Sequence, residues 1–160
     1  MRFLRVAIVS VLLNGAAHAA ADVTFKNVDG YIDATFERPK SERNLREVQE
    51  GLRKAFSNLA DKYLPAGQSL TVEVSDIDLA GRLEPTFSSG DIRIMQGVTW
   101  PRLKFTYTVM ENGAVVATGQ ADVRDSDYLN GFNTQPYGDR LRYERQMLAD
   151  WFRKTFGKPT

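Results

Sequence analysis

Two stretches of alternating apolar and polar residues flank a single Asn-Gly pair, and they limit the folds open to this chain more than any other feature. Leu103, Phe105, Tyr107 and Val109 alternate with Lys104, Thr106, Thr108 and Met110. Beyond Asn112-Gly113, Val115, Ala117, Gly119, Ala121 and Val123 alternate with Val116, Thr118, Gln120, Asp122 and Arg124. Successive strand residues point to opposite faces, so each stretch is a strand with one side turned to a core. Asn-Gly accepts the positive φ that both central positions of a type I′ turn require, which makes the two an antiparallel hairpin. A hairpin with one apolar face needs a second layer to cover it.

Two amphipathic segments can supply that layer. Ser41 is placed as an N-cap, and Leu45, Val48, Leu52, Phe56, Leu59 and Tyr63 follow at spacings of three and four until Pro65 and Gly67. Its other face carries Arg46, Glu50, Arg53, Lys54 and Asp61, a mixture that reads as a solvated surface. The last helix is expected from a cap at Asp139 to about Phe156, with Leu141, Leu148, Trp151, Phe152 and Phe156 inward. Val23, Phe25 and Val28 suggest a first strand, and residues 29–40 a polar loop. Leu70, Val72 and Val74 alternate with polar neighbours, and the phase slips by one at Ile77 and Leu79, which predicts a β-bulge near Ser75-Asp76. Residues 82–100 form a long connection with a short edge strand at Ile92 and Ile94. The expected architecture is an α+β two-layer sandwich: a mixed four-stranded sheet, ordered strand-helix-strand-hairpin-helix, with both helices on one face. The opposite face must be polar, covered by the 82–100 connection, or covered by a partner.

Residues 1–19 stand apart from this fold. Arg2 and Arg5 precede an apolar run from Val6 to Leu13, and Ala17-His18-Ala19 offers small residues to a signal peptidase. The run is too short to span a bilayer, which takes roughly 20 residues. The expectation is a cleaved leader, cut after Ala19 with Ala21 as the alternative, and a single periplasmic domain over residues 20–160. No cysteine is present for a lipid anchor, and no transmembrane segment remains after the leader is removed.

That removal decides which chemistry is open. The full chain has 21 basic and 20 acidic residues; losing Arg2 and Arg5 and no acid leaves one net negative charge. General attraction to nucleic acid is not expected. The only histidine, His18, goes too, and the chain has no cysteine. Imidazole and thiolate are the main zinc and copper ligands, and they serve as base or nucleophile in Ser-His-Asp and Cys-His catalysis. Both are missing, so no cofactor is expected and stability must come from the core without disulfides.

Three motifs carry a family resemblance: Asp76-Ile-Asp78-Leu-Ala-Gly81, Val98-Thr-Trp100-Pro101-Arg102, and the run from Leu141 through Glu144 and Leu148 to Trp151-Phe152. With the Pro65-Ala-Gly67-Gln strand start, they make the whole mature chain resemble a proteobacterial family of exported proteins, domain of unknown function 3016. The resemblance implies export and a compact single domain. It implies no activity, ligand or catalytic residue.

Four groups of side chains are candidates for function. Asp76 and Asp78, two apart on a strand, share a face and with Asp127 would offer carboxylates to a divalent cation, although hard cations need six or more oxygens. The simpler reading gives these acids backbone N–H partners, with an Asx-turn at Asp125-Ser126-Asp127. Glu144 falls inside the apolar stripe of the last helix, where a carboxylate needs a partner. Arg102 is the first choice for that structural ion pair, with Arg82 and Arg93 as alternatives. Phe87, Trp100, Tyr128, Phe132 and Tyr137 all lie in loops, where they either cap the core or form a binding surface. Finally, Arg140, Arg142, Arg145, Arg153, Lys154 and Lys158 outnumber Asp139, Glu144 and Asp150 near the C-terminus. Cations there complement a helix dipole, and an anionic envelope component such as lipopolysaccharide is the sharper alternative.

The reading these residues favour is a non-enzymatic binding or envelope accessory module. Its contact surface is formed by the 82–100 connection and the 126–138 loop, and its partner is a periplasmic protein or another envelope component. The rival is a carboxylate-dependent, metal-assisted hydrolase using Asp76, Asp78 and Asp127. The sequence sets no oligomeric state.

Overall fold

The computed structural model describes residues 20–86 and 90–159; the expected leader and Phe87 lie outside the described residues. The predicted hairpin is present as β5 (Arg102–Glu111) and β6 (Ala114–Arg124). Asn112 and Gly113 take φ of 52° and 81°, as the turn requires. β1 (Ala20–Phe25) lies parallel to β2 (Gln68–Asp78), and β2 lies antiparallel to β5. The sheet order is β1-β2-β5-β6, a mixed four-stranded sheet. The register between β2 and β5 shifts between Val74 and Asp76, where the phase slip called for a bulge. That shift lets Leu70, Val72, Val74 and Ile77 all face the core.

Both helices cover this one face. In α1 (Glu42–Tyr63), the Ser41 hydroxyl accepts the Asn44 N–H at 3.2 Å, and Val48, Leu52, Phe56 and Tyr63 are buried. In α2 (Arg142–Phe156), Met147, Leu148 and Phe152 are buried. Phe105 of β5 joins the layers: its ring lies 5.3 Å from Phe56 of α1 and 4.9 Å from Trp151 of α2, both edge-on. Each large apolar side chain so buried contributes about 1.5–3 kcal/mol. The reverse face of the sheet carries Thr71, Thr106, Thr118, Gln120 and Asp122 and is polar. The architecture is therefore the α+β sandwich with both helices on one side.

Four details differ from expectation. Residues 82–86 and 90–94 form a second, two-stranded sheet of β3 (Arg82–Thr86) and β4 (Gly90–Ile94). Pro85 and the charges of β3 hide this strand from any alternation pattern. In β4, Ile92 and Ile94 face outward while Arg93 turns inward. The loop expected to be polar over residues 29–40 instead buries Tyr31, Ala34 and Phe36, and Asp33 makes a parallel bridge with Asp78. Asp139 does not cap α2 directly. Its carboxylate accepts the Leu141 N–H at 2.9 Å and pairs with Arg145 at 2.7 Å, and its carbonyl turns the chain through Arg142 before the helix starts.

Candidate functional site

The last residues of β2 lead into the turn at Ala80-Gly81, and a buried polar network forms there. Arg93 enters from β4 and takes Asp33 bidentately, at 2.9 and 3.0 Å. The same guanidinium donates to the carbonyls of Ala80, Gly81 and Thr35. One planar fork thus fixes the loop, the turn and the second sheet together. Asp78 stands beside this cluster. Burial raises its pKa first, and Asp33 and Asp76 add to the rise against the pull of Arg102 and Arg93.

Glu144 reaches the same turn from α2. It is 2% exposed, and its Oε1 accepts the Ala80 N–H at 2.7 Å. Its Oε2 has no hydrogen-bond partner among the described residues. Burial pushes the carboxyl up to about 7, opposed by the Ala80 N–H and by Arg93. The expected pairing of Glu144 with Arg102 is corrected here. Leu103 points into the core, so its neighbour Arg102 points to the opposite face of the sheet, away from α2. Arg102 instead grips Asp122 on β6, its Nε 2.7 Å from Oδ1. Of the arginines considered, Arg93 is the one whose charge acts on Glu144.

The three acids proposed for a cation do not assemble as a set: Asp76 acts on Asp78, but Asp127 is engaged in its own turn. Asp76 accepts the Ile32 N–H at 3.3 Å and lies 3.6 Å from Lys104. Asp127 accepts from the Asn130 side chain at 2.8 Å, and its own N–H donates to Asp125 at 3.1 Å, the expected Asx-turn. Among the described residues, no group of three or more His, Cys, Asp or Glu is placed to hold a metal ion.

The loop aromatics divide into two kinds. Tyr128 is buried, which removes it from any open patch. Its hydroxyl donates to the Gln96 carbonyl at 2.9 Å and accepts the Gln96 N–H at 3.0 Å. Its ring meets Tyr143 of α2 edge-on at 4.8 Å. Tyr128 therefore bolts the 126–138 loop to the connection that leads to Trp100. That connection is itself pinned, since Thr99 donates back to Gln96 and accepts the Gly81 N–H at 2.8 Å. Phe132 and Tyr137 are 87% and 92% exposed, and Trp100 is 36% exposed at the end of β4's connection. The guanidinium of Arg142 lies 5.0 Å from the Tyr137 ring centre.

The loop that carries Phe132 and Tyr137 is held by side chains. Asn133 donates to the Arg142 carbonyl at 3.2 Å and accepts the Gln135 N–H at 2.8 Å. Thr134 donates to the Gln146 side chain through both its N–H, at 3.0 Å, and its hydroxyl, at 2.9 Å. Asn133, Thr134 and Gln146 were not singled out in the sequence. The Asn-Thr-Gln-Pro run before Tyr137 was the available signal, since such residues fix turns through their side chains.

Fold and site together define a two-layer α+β module that presents exposed aromatics on pinned loops beside a buried carboxylate. As its motifs indicated, the chain belongs to the family described as protein of unknown function, DUF3016, whose model matches residues 19–154. No curated protein matches it. It is similar to the crystal structure of protein XCC0632 from Xanthomonas campestris, of family DUF330. That similarity has a TM-score of 0.36 and 10% sequence identity over 96% of this chain and 91% of that one. No helix among the described residues is long and apolar enough to cross a membrane.

Proposed function

We propose that this protein is an exported, non-enzymatic binding module of the cell envelope. It engages a periplasmic protein or another envelope component through the surface around Trp100, Phe132 and Tyr137. One observation carries this reading. Two large aromatics stand almost wholly in solvent on a loop whose backbone is fixed by Asn133, Thr134 and Gln146. A fixed loop loses little further entropy on binding, and aromatic side chains dominate the energetics of protein contacts. The alternative for these residues, that they cap the core, suits Tyr128 but not Phe132 or Tyr137.

Export rests on the Arg2–Ala19 leader pattern. A cut after Ala19 leaves every paired residue of β1 in the mature chain, whereas a cut after Ala21 removes two of them. The non-enzymatic reading rests on the absence of imidazole and thiol from residues 20–160 and on the local hydrogen bonds of Asp76 and Asp127, two of the three acids considered for a hydrolase.

The test uses protein recovered from the periplasm of its host, whose N-terminus is expected to be Ala20. Immobilised wild type is compared with Trp100→Ala and with Phe132→Ser combined with Tyr137→Ser in a pull-down from periplasmic extract. Wild type should retain a partner that both variants lose, with melting temperatures unchanged. Equal recovery by all three baits, or an N-terminus still at Met1, defeats the proposal.

A further inference from the structure

The four-stranded sheet has two unlike edges. β1 is six residues long, and Arg53 of α1 covers it: Nε donates to the Val23 carbonyl at 3.3 Å, and the guanidinium lies 4.9 Å from the Phe25 ring centre. β6 is 11 residues long. From Ala117 to Val123 it contains no proline and no lysine, and its one irregularity against β5 lies at the hairpin end, where Val109 and Met110 change register. Its ladder runs to β5 on one side, and among the described residues no backbone hydrogen bond runs from its other side. Edges of this length are ordinarily blunted by prolines, lysines, bulges or a covering element, because open N–H and C=O groups pair with other strands.

We propose that β6 pairs antiparallel with β6 of a second copy about a two-fold axis through Gly119, joining the two sheets into one. The occupant is a second copy because the strand is complementary to itself, as a two-fold contact demands. With Gly119 on the axis, Ala117 faces the partner's Ala121 and Thr118 faces the partner's Gln120. Ala117, Gly119 and Ala121 lie on the core side and are small. The Tyr107 ring lies directly against Gly119, where a Cβ would come within 2.9 Å of it, so this side of the strand is low and flat. On the solvent side Thr118 and Gln120 are neutral and exposed. Asp122 is neutralised by Arg102 in its own chain. No like charges meet across the axis.

The helical layer fits the same arrangement. An axis normal to the sheet keeps both pairs of helices on one side. Val123 of β6 is only partly buried, as are Trp151 and Phe156, whose rings pack edge-on against Tyr107 beside Gly119, so apolar surface lies on the helical side near the axis.

Analytical ultracentrifugation of the mature chain across the micromolar range tests the proposal with two variants. T118K/Q120K sets lysine opposite lysine twice across the axis, whereas T118K/Q120E sets lysine opposite glutamate. Both positions are exposed, and circular dichroism verifies that each variant folds. Wild type and T118K/Q120E should sediment as dimers, with the T118K/Q120K dimer weakened about tenfold or more. A wild type that stays monomeric throughout overturns the proposal. So does a T118K/Q120K variant that dimerises as wild type does, or a loss of dimer in both variants alike.

Discussion

At the scale of single residues, Glu144 makes the sharpest demand on the fold. A carboxylate with one oxygen bound to the Ala80 N–H and the other without a hydrogen-bond partner among the described residues is poorly served in its charged form. Its pKa rises to about 7 in the folded state, so the folded protein holds a proton that the unfolded chain releases nearer the ordinary carboxyl value of 4.5. The folded state therefore binds more protons between those values, and stability falls as pH rises from about 4.5 to about 7, then levels. Asp78, also raised by burial, acts in the same direction. Glu144→Gln keeps an acceptor for Ala80 and carries no charge. Urea unfolding should show the variant more stable than wild type at pH 8 by on the order of 1–3 kcal/mol, with little difference at pH 5. An equal offset at both values would mean that Glu144 acts through packing instead. The sequence located this carboxylate inside the apolar stripe but misassigned its partner: the alternation that puts Leu103 on the core side already turns Arg102 away, whereas the actual partner, the Ala80 N–H, is set by a contact between distant parts of the chain.

At the scale of elements, periodic signals were legible and irregular ones were not. The Asn112-Gly113 hairpin, the α1 stripe and the bulge after Val74 each follow from spacing along one segment. The Ser41 cap belongs with them, and Ser41→Ala should lower stability by about 1 kcal/mol in thermal or urea unfolding. An unchanged midpoint would show that water satisfies the Asn44 N–H equally well. β3 escaped notice because Pro85 and its charged neighbours break any alternation. The 31–36 segment escaped for a related reason: Tyr31, Ala34 and Phe36 are buried by contacts with distant elements, not by a local repeat. Tyr31 is one example, its hydroxyl bound to the Val74 carbonyl at the bulge. Arg93 is another, since its role depends on Asp33 and on carbonyls far along the chain.

At the scale of the whole molecule, the sandwich separates two tasks. Its core and the network around Arg93 and Glu144 hold the shape, while loops at one end of the sheet offer aromatic side chains to solvent. The family to which the chain belongs confirms the resemblance carried by its motifs. Of the loop aromatics named from sequence, Phe132 and Tyr137 emerge fully and Trp100 in part, and Tyr128 serves as the bolt beneath them. Composition placed all of these in loops, but only the three-dimensional contacts of Gln96, Thr134 and Gln146 separate anchor from display. The central claim is that this end of the molecule is rigid before any partner arrives. Native-state amide hydrogen exchange tests it most directly, at the N–H groups of Gln96, Thr134 and Gln135, whose acceptors are Tyr128, Gln146 and Asn133. Exchange slowed by about a hundredfold or more relative to an unstructured chain is the predicted result. Exchange at unstructured-chain rates at these three amides, with the core strands still protected, would contradict it.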